Sequence, residues 1–73
     1  MERQEEALRE FGRRLTWLRE KQELSIAELA VRCGLDTLKI IQIEAGQVDF
    51  PVTVILALAR GLGVPPDELL ETL

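Results

Sequence analysis

The 73-residue chain has no histidine, and Cys33 is its only cysteine. One thiol cannot form an internal disulfide, and a Cys/His zinc site lacks its ligands. A single thiol fits a reducing cytoplasm, which is the expected compartment. No apolar run approaches the roughly 20 residues of a membrane span, so no membrane association is expected. The first residues, Met1-Glu2-Arg3-Gln4-Glu5-Glu6, are too charged and too acidic for a signal peptide. There are no internal repeats and no low-complexity linker. Also missing is an excess of positive charge: 9 basic against 13 acidic side chains leave −4. Non-specific nucleic-acid binding calls for a basic surface, and this composition does not advertise one.

The chain is 47% hydrophobic and 30% charged, the balance of a globular domain. A chain this short buries only about 60% of its unfolded surface. It is read as one domain over residues 1–73, with no room for a cleft between domains. Charge is unevenly placed. Residues 1–23 carry six basic and six acidic groups, and residues 24–46 carry two and three. Residues 47–73 set Arg60 against Asp49, Asp67, Glu68 and Glu71.

Helix signals follow one another. Leu8, Phe11, Leu15 and Leu18 fall at helical spacing, with Arg9, Glu10, Arg13, Arg14, Arg19 and Glu20 between them; this predicts a helix over about 4–22. Ser25 with Glu28 three later is a capping box, and Leu24 and Leu29 are spaced as a hydrophobic staple around it. The second helix runs from about Ile26 to Cys33, ended by Gly34. Asp36 is read as the next N-cap, with Leu35 stapled to Ile40, opening a helix over about 37–45 that stops at Gly46. Phe50-Pro51 opens a fourth helix, whose buried stripe is read as Val52, Ile55, Leu58, Ala59 and Leu62, ended by Gly61 and Gly63. Val64 to Leu69 starts a short fifth. The fold class is all-α, with five short helices and no sheet.

The informative stretch is about 26–45. Two short helices meet at a tight turn containing Gly34, which admits positive φ. Ala30 lets the axes approach, and Ile40 and Ile43 are the core-facing positions of the third helix. A small residue, Gly four later and an aliphatic six beyond it is helix-turn-helix spacing. With Phe11-Gly12-Arg13-Arg14-Leu15, Leu18-Arg19, Leu24-Ser25, Glu28-Leu29-Ala30, Cys33-Gly34-Leu35, Ile43-Glu44-Ala45-Gly46, Leu56-Ala57-Leu58-Ala59, Leu62-Gly63-Val64 and Asp67-Glu68-Leu69-Leu70, the chain resembles the lambda-repressor/Cro-like (XRE-type) helix-turn-helix regulators.

That resemblance implies a lambda-repressor-like fold and sequence-specific binding of double-stranded DNA in transcriptional regulation, with the third helix in the major groove. It implies that Ser25, Ile26 and the start of the second helix approach a phosphate. It makes Thr37, Leu38, Lys39, Ile41 and Gln42 the base- and backbone-facing set. It also implies a structural pair between Arg19 and Glu44. The chain departs from the family pattern in three places. Ile26 stands where the family usually has a phosphate-touching Gln. Leu38 and Ile41 are large aliphatics on the outward face. The loop Gln47-Val48-Asp49 offers no basic residue. Leu38 and Ile41 either meet thymine methyls or join Ile26 in an apolar patch for a protein partner.

Other residues carry two readings each. Arg13 and Arg14 either hold phosphates or form a solvated face with Glu10 and Glu20. Cys33 is read as a small core residue in preference to a redox switch, for which the chain has no second cysteine to resolve it. Trp17, off the apolar stripe, is either an interface anchor or packs against the C-terminal helix or tail, the preferred reading. A homodimer is expected through the fifth helix and its flank, using Leu69, Leu70 and Leu73. No His, activated nucleophile, phosphate loop or paired carboxylate supports an enzyme, and no metal or cofactor is called for.

Overall fold

Five helices account for the secondary structure of the described residues. The computed structural model describes residues 2–71, and the side chains of 4–71. The helices are α1 (Glu2–Lys21), α2 (Ile26–Cys33), α3 (Thr37–Glu44), α4 (Val52–Leu62) and α5 (Pro66–Leu69).

The apolar stripe of α1 buries Phe11, Leu15 and Leu18. They meet Leu29 and Ala30 of α2, Ile40 and Ile43 of α3, Leu58, Ala59 and Leu62 of α4, and Leu69 of α5 in one cluster. Leu8, at the far end of the stripe, stays half-buried and outside that cluster. Helix α1 packs on α3, and α2 packs on both α3 and α4. Phe50 closes the α3–α4 loop over the core, its ring 4.9 Å from that of Phe11 and tilted by 44°.

The helix ends follow local chemistry. Ser25 Oγ accepts from the Glu28 N–H at 3.0 Å, and Glu28 Oε1 accepts from the Ser25 N–H at 2.7 Å, a complete capping box. Gly34 adopts φ 69° and its N–H reaches back to the carbonyls of Ala30 and Val31. A β-carbon in that conformation costs roughly 1–2 kcal/mol, so glycine suits the turn. The α1–α2 turn solves the same problem without glycine, since Glu23 sits at φ 58°.

Several expectations are corrected. Asp36 occupies the N-cap position of α3 with extended backbone, but its side chain makes no capping bond. Gly61 lies inside α4; Gly63 supplies the left-handed end. Val52 is 67% exposed because it starts α4 beyond the edge of the core, so it does not belong to the buried stripe. Leu69 is fully buried. It closes the core beneath α5 and is unavailable to a dimer surface, while Leu73 lies outside the described residues. Trp17 is 49% exposed. Its ring is flanked by the Arg14 guanidinium at 4.9 Å and the Lys21 ammonium at 4.7 Å.

Candidate nucleic-acid interface

Helix α3 is held by its two buried isoleucines. Ile40 and Ile43 have no exposed surface. At about 100° per residue, the positions opposite them are Leu38, Ile41, Gln42 and Ala45, with Thr37 at the flank. Thr37, Leu38, Ile41 and Ala45 are exposed, and Gln42 is half-buried at one edge. The middle of this face is apolar: Leu38 is 62% and Ile41 44% exposed. Lys39 is half-buried and, three residues before Gln42, lies just beyond it on the same edge. Thr37, Leu38, Ile41 and Gln42 thus share one outward face, with Lys39 beside it.

A clamp fixes how this face is presented. Arg19 donates from Nε to Glu44 Oε2 at 2.7 Å and from Nη2 to Glu44 Oε1 at 3.2 Å. Its third donor, Nη1, reaches the carbonyl of Leu24 at 2.8 Å. One guanidinium therefore ties together α1, the α1–α2 turn and the last turn of α3. Both side chains are only about a tenth exposed, at 12% and 10%. The bond to Glu44 is the main reason the Arg19 pKa is raised above its ordinary value, against the opposing effect of burial. The fork geometry suits arginine and not lysine.

The second contact that positions α3 is backbone against backbone. A β-carbon on Gly12 would lie 2.4 Å from the Glu44 carbonyl oxygen and 2.6 Å from that of Ile43. Gly12 lets α1 press directly on the end of α3. In the sequence Gly12 stands only as one residue of the Phe11–Leu15 motif, with nothing nearby to show what it faces. An isolated glycine inside a helical pattern was the available signal. At the loop that follows, a β-carbon on Gly46 would meet Arg9 Cα at 2.9 Å.

Ser25 is exposed at the start of α2 and engaged in its cap. Ile26 is half-buried and packs against the core. It therefore does not join Leu38 and Ile41 in an exposed patch, because the first turn of α2 turns it inward. Of the two readings of Arg13 and Arg14, the solvated face holds for Arg13, which pairs with Glu10, while Arg14 is not paired with Glu20. Arg14 Nε donates to the Glu68 carbonyl at 2.8 Å and Nη2 bonds Glu71, so it fastens α1 to the C-terminal turn. Gln22 makes a similar tie, donating to the Leu62 carbonyl at 2.7 Å.

Cys33 is half-buried against α4, and burial pushes its thiol pKa up. A hollow of about 370 Å³ beside α2 is lined by Leu24, Ala27, Glu28, Val31 and Arg32. Its carboxylate, Glu28, is already engaged in the α2 cap. Among the described residues no helix is long and apolar enough to cross a membrane, and no three His, Cys, Asp or Glu side chains gather as a metal site.

The family model described as a helix-turn-helix domain matches residues 10–73. Among solved structures, the chain is similar to the restriction-modification controller protein C.AhdI from Aeromonas hydrophila. The two are 40% identical with a TM-score of 0.83, over 85% of this chain and 94% of that one. No curated protein matches.

Proposed function

This chain belongs to the helix-turn-helix domain family, as an XRE-like DNA-binding transcription regulator, and on that premise we propose that it reads a specific duplex site with α3 in the major groove, as a homodimer on a two-fold operator. The observation that carries the reading is the presentation of α3. Ile40 and Ile43 anchor it, the Arg19–Glu44 clamp and Gly12 fix its end, and Thr37, Leu38, Ile41 and Gln42 are left facing outward. Lys39 at the edge of this face supplies a phosphate contact, and Gln42 can pair with adenine. Ser25 and the first N–H groups of α2 approach a backbone phosphate, with Ile26 serving the core beneath them.

A single half-site contact from a protein of net charge −4 is weak. Pairing two copies offsets this. Leu70 is 38% exposed beside α5, and Val52 and Leu56, four apart on α4, are 67% and 44% exposed; these residues make the proposed dimer surface. Half-sites then lie about one helical turn apart. The protein works in the cytoplasm as a regulator and not as an enzyme. Likeness to a restriction-modification controller makes the promoter of a restriction-modification gene pair the first natural DNA to test.

The test is selection of a site from a randomised duplex pool, followed by titration at two salt concentrations. Lys39→Ala should weaken all sites and reduce the salt slope, and Gln42→Ala should relax preference at one base pair by about 1–3 kcal/mol. Absence of any selected, salt-sensitive site sinks the proposal. A second reading, a protein partner on the α3 face, is favoured by the exposure of Leu38 and Ile41. It predicts that Leu38→Ala abolishes biological activity while Lys39→Ala and Gln42→Ala leave it intact.

A further inference from the structure

The outward face of α3 has a polar rim and an apolar centre. Successive residues turn by about 100°, so Ile41, Ala45 and Leu38 occupy the middle of the exposed arc, with Thr37 and Gln42 at its borders. Leu38 and Ile41 are the large side chains of that centre, 62% and 44% exposed. Neither carries a hydrogen-bonding group.

Major-groove base edges are read mainly through donors and acceptors, and the 5-methyl group of thymine is the one methyl among them. An aliphatic side chain pressed on any other edge strips water from polar atoms and returns no hydrogen bond. Pressed on a thymine methyl, it removes apolar surface of both partners from water. Leu38 and Ile41 lie three residues apart, about 4.5 Å along the helix axis. That separation is larger than the 3.4 Å rise of one base step, so the two side chains have room to address different pairs.

We propose that α3 reads thymine by its methyl group, with Leu38 and Ile41 as the specificity-determining residues over different base pairs. This deepens the DNA-binding reading and rests on it. Gln42 supplies the hydrogen-bonding readout at the border of the same face. The operator half-site therefore carries thymines beneath the centre of α3, and G·C pairs there are disfavoured because they offer the two side chains no methyl group.

Deoxyuridine lacks only the 5-methyl group and keeps every hydrogen-bonding atom of thymine, so it isolates the contact. The full chain is used to select a site from a randomised duplex pool. Each thymine of that site is then replaced singly by deoxyuridine. Under the proposal, at least two positions per half-site lose about fourfold in affinity each, equivalent to about 0.8 kcal/mol per buried methyl, while the other positions are unchanged. In Leu38→Ala the penalty at one of those positions falls to within twofold of zero effect, and in Ile41→Ala the penalty at the other does. Both side chains are exposed, and thermal melting checks that both variants fold.

If a site is selected but deoxyuridine is neutral throughout, methyl readout is overturned and DNA binding stands. If the penalties persist in both variants, Leu38 and Ile41 are not the readers. If no site is selected, this inference falls together with the DNA-binding reading.

Discussion

A β-carbon on Gly12 would stand 2.4 Å from the carbonyl oxygen of Glu44, closer than non-bonded atoms can approach. Gly12 lies inside α1, where replacing glycine by alanine ordinarily gains about 1 kcal/mol. Here the obstructing atom belongs to the backbone and cannot swing aside. Gly12→Ala is expected to destabilise by about 1–3 kcal/mol through overpacking, a fall of several degrees in Tm. The displaced end of α3 should also weaken DNA binding. A variant more stable than the parent would remove Gly12 from the positioning of α3.

The clamp beside it gives a second test. Glu44→Ala leaves the Arg19 guanidinium without the carboxylate that accepts two of its hydrogen bonds. Breaking a poorly solvated pair costs about 3 kcal/mol or more. Arg19→Lys should recover little, because one ammonium cannot hold the carboxylate bidentately and also reach the Leu24 carbonyl. Denaturant melts of the two variants decide. A midpoint for Glu44→Ala matching the parent would mean that the pair adds nothing.

The α2 cap predicts a pH dependence. Its backbone bond to Ser25 comes first, then the Ser25 hydroxyl and Arg32, in holding the Glu28 carboxyl below its ordinary value of 4.5. A carboxylate with a depressed folded pKa contributes stability above its unfolded value and loses it as the pH falls through the folded one. The Tm gap between the parent and Glu28→Ala should be full near neutrality and close as the pH drops below 4.5. Ser25→Ala should cost about 1 kcal/mol at neutral pH. A gap that stays constant down to strongly acidic pH would dissociate Glu28 from the cap.

Where α2 crosses α4, a β-carbon on Gly61 would lie 2.4 Å from Cys33 Sγ and 3.2 Å from the Cys33 nitrogen. Gly61→Ala should therefore be destabilising. In a Cys33→Ala background the same change should cost less, with a coupling of about 1 kcal/mol. The thiol itself, pushed up by burial, should react slowly with thiol reagents at neutral pH. Equal costs of Gly61→Ala in both backgrounds would refute the contact.

Dimerisation is tested by Leu56→Asp. Leu56 is 44% exposed on α4, so the change should leave the fold intact while converting a sedimenting dimer to a monomer and weakening operator binding. A parent chain that sediments as a monomer at high micromolar concentration rules out the homodimer.

The sequence by itself determined the five helices and the helix-turn-helix. Their signals act within one or two turns of chain: Ser25 with Glu28, glycine at positions 34 and 63, and Ile40 and Ile43 spaced for one buried face. The outward set on α3 follows from the same period. Tertiary structure decided where each helix face ends and what lies against it. Leu69 and Leu70 are neighbours of the same chemistry, yet one is buried under the core and the other open, because burial depends on which helices close over a residue. Ile26 turns inward and Val52 outward for that reason. The approaches that only glycine permits join residues far apart in the chain, Gly12 with Glu44 and Gly61 with Cys33. A glycine's need for space is set by the backbone opposite it, and local sequence carries no record of that neighbour.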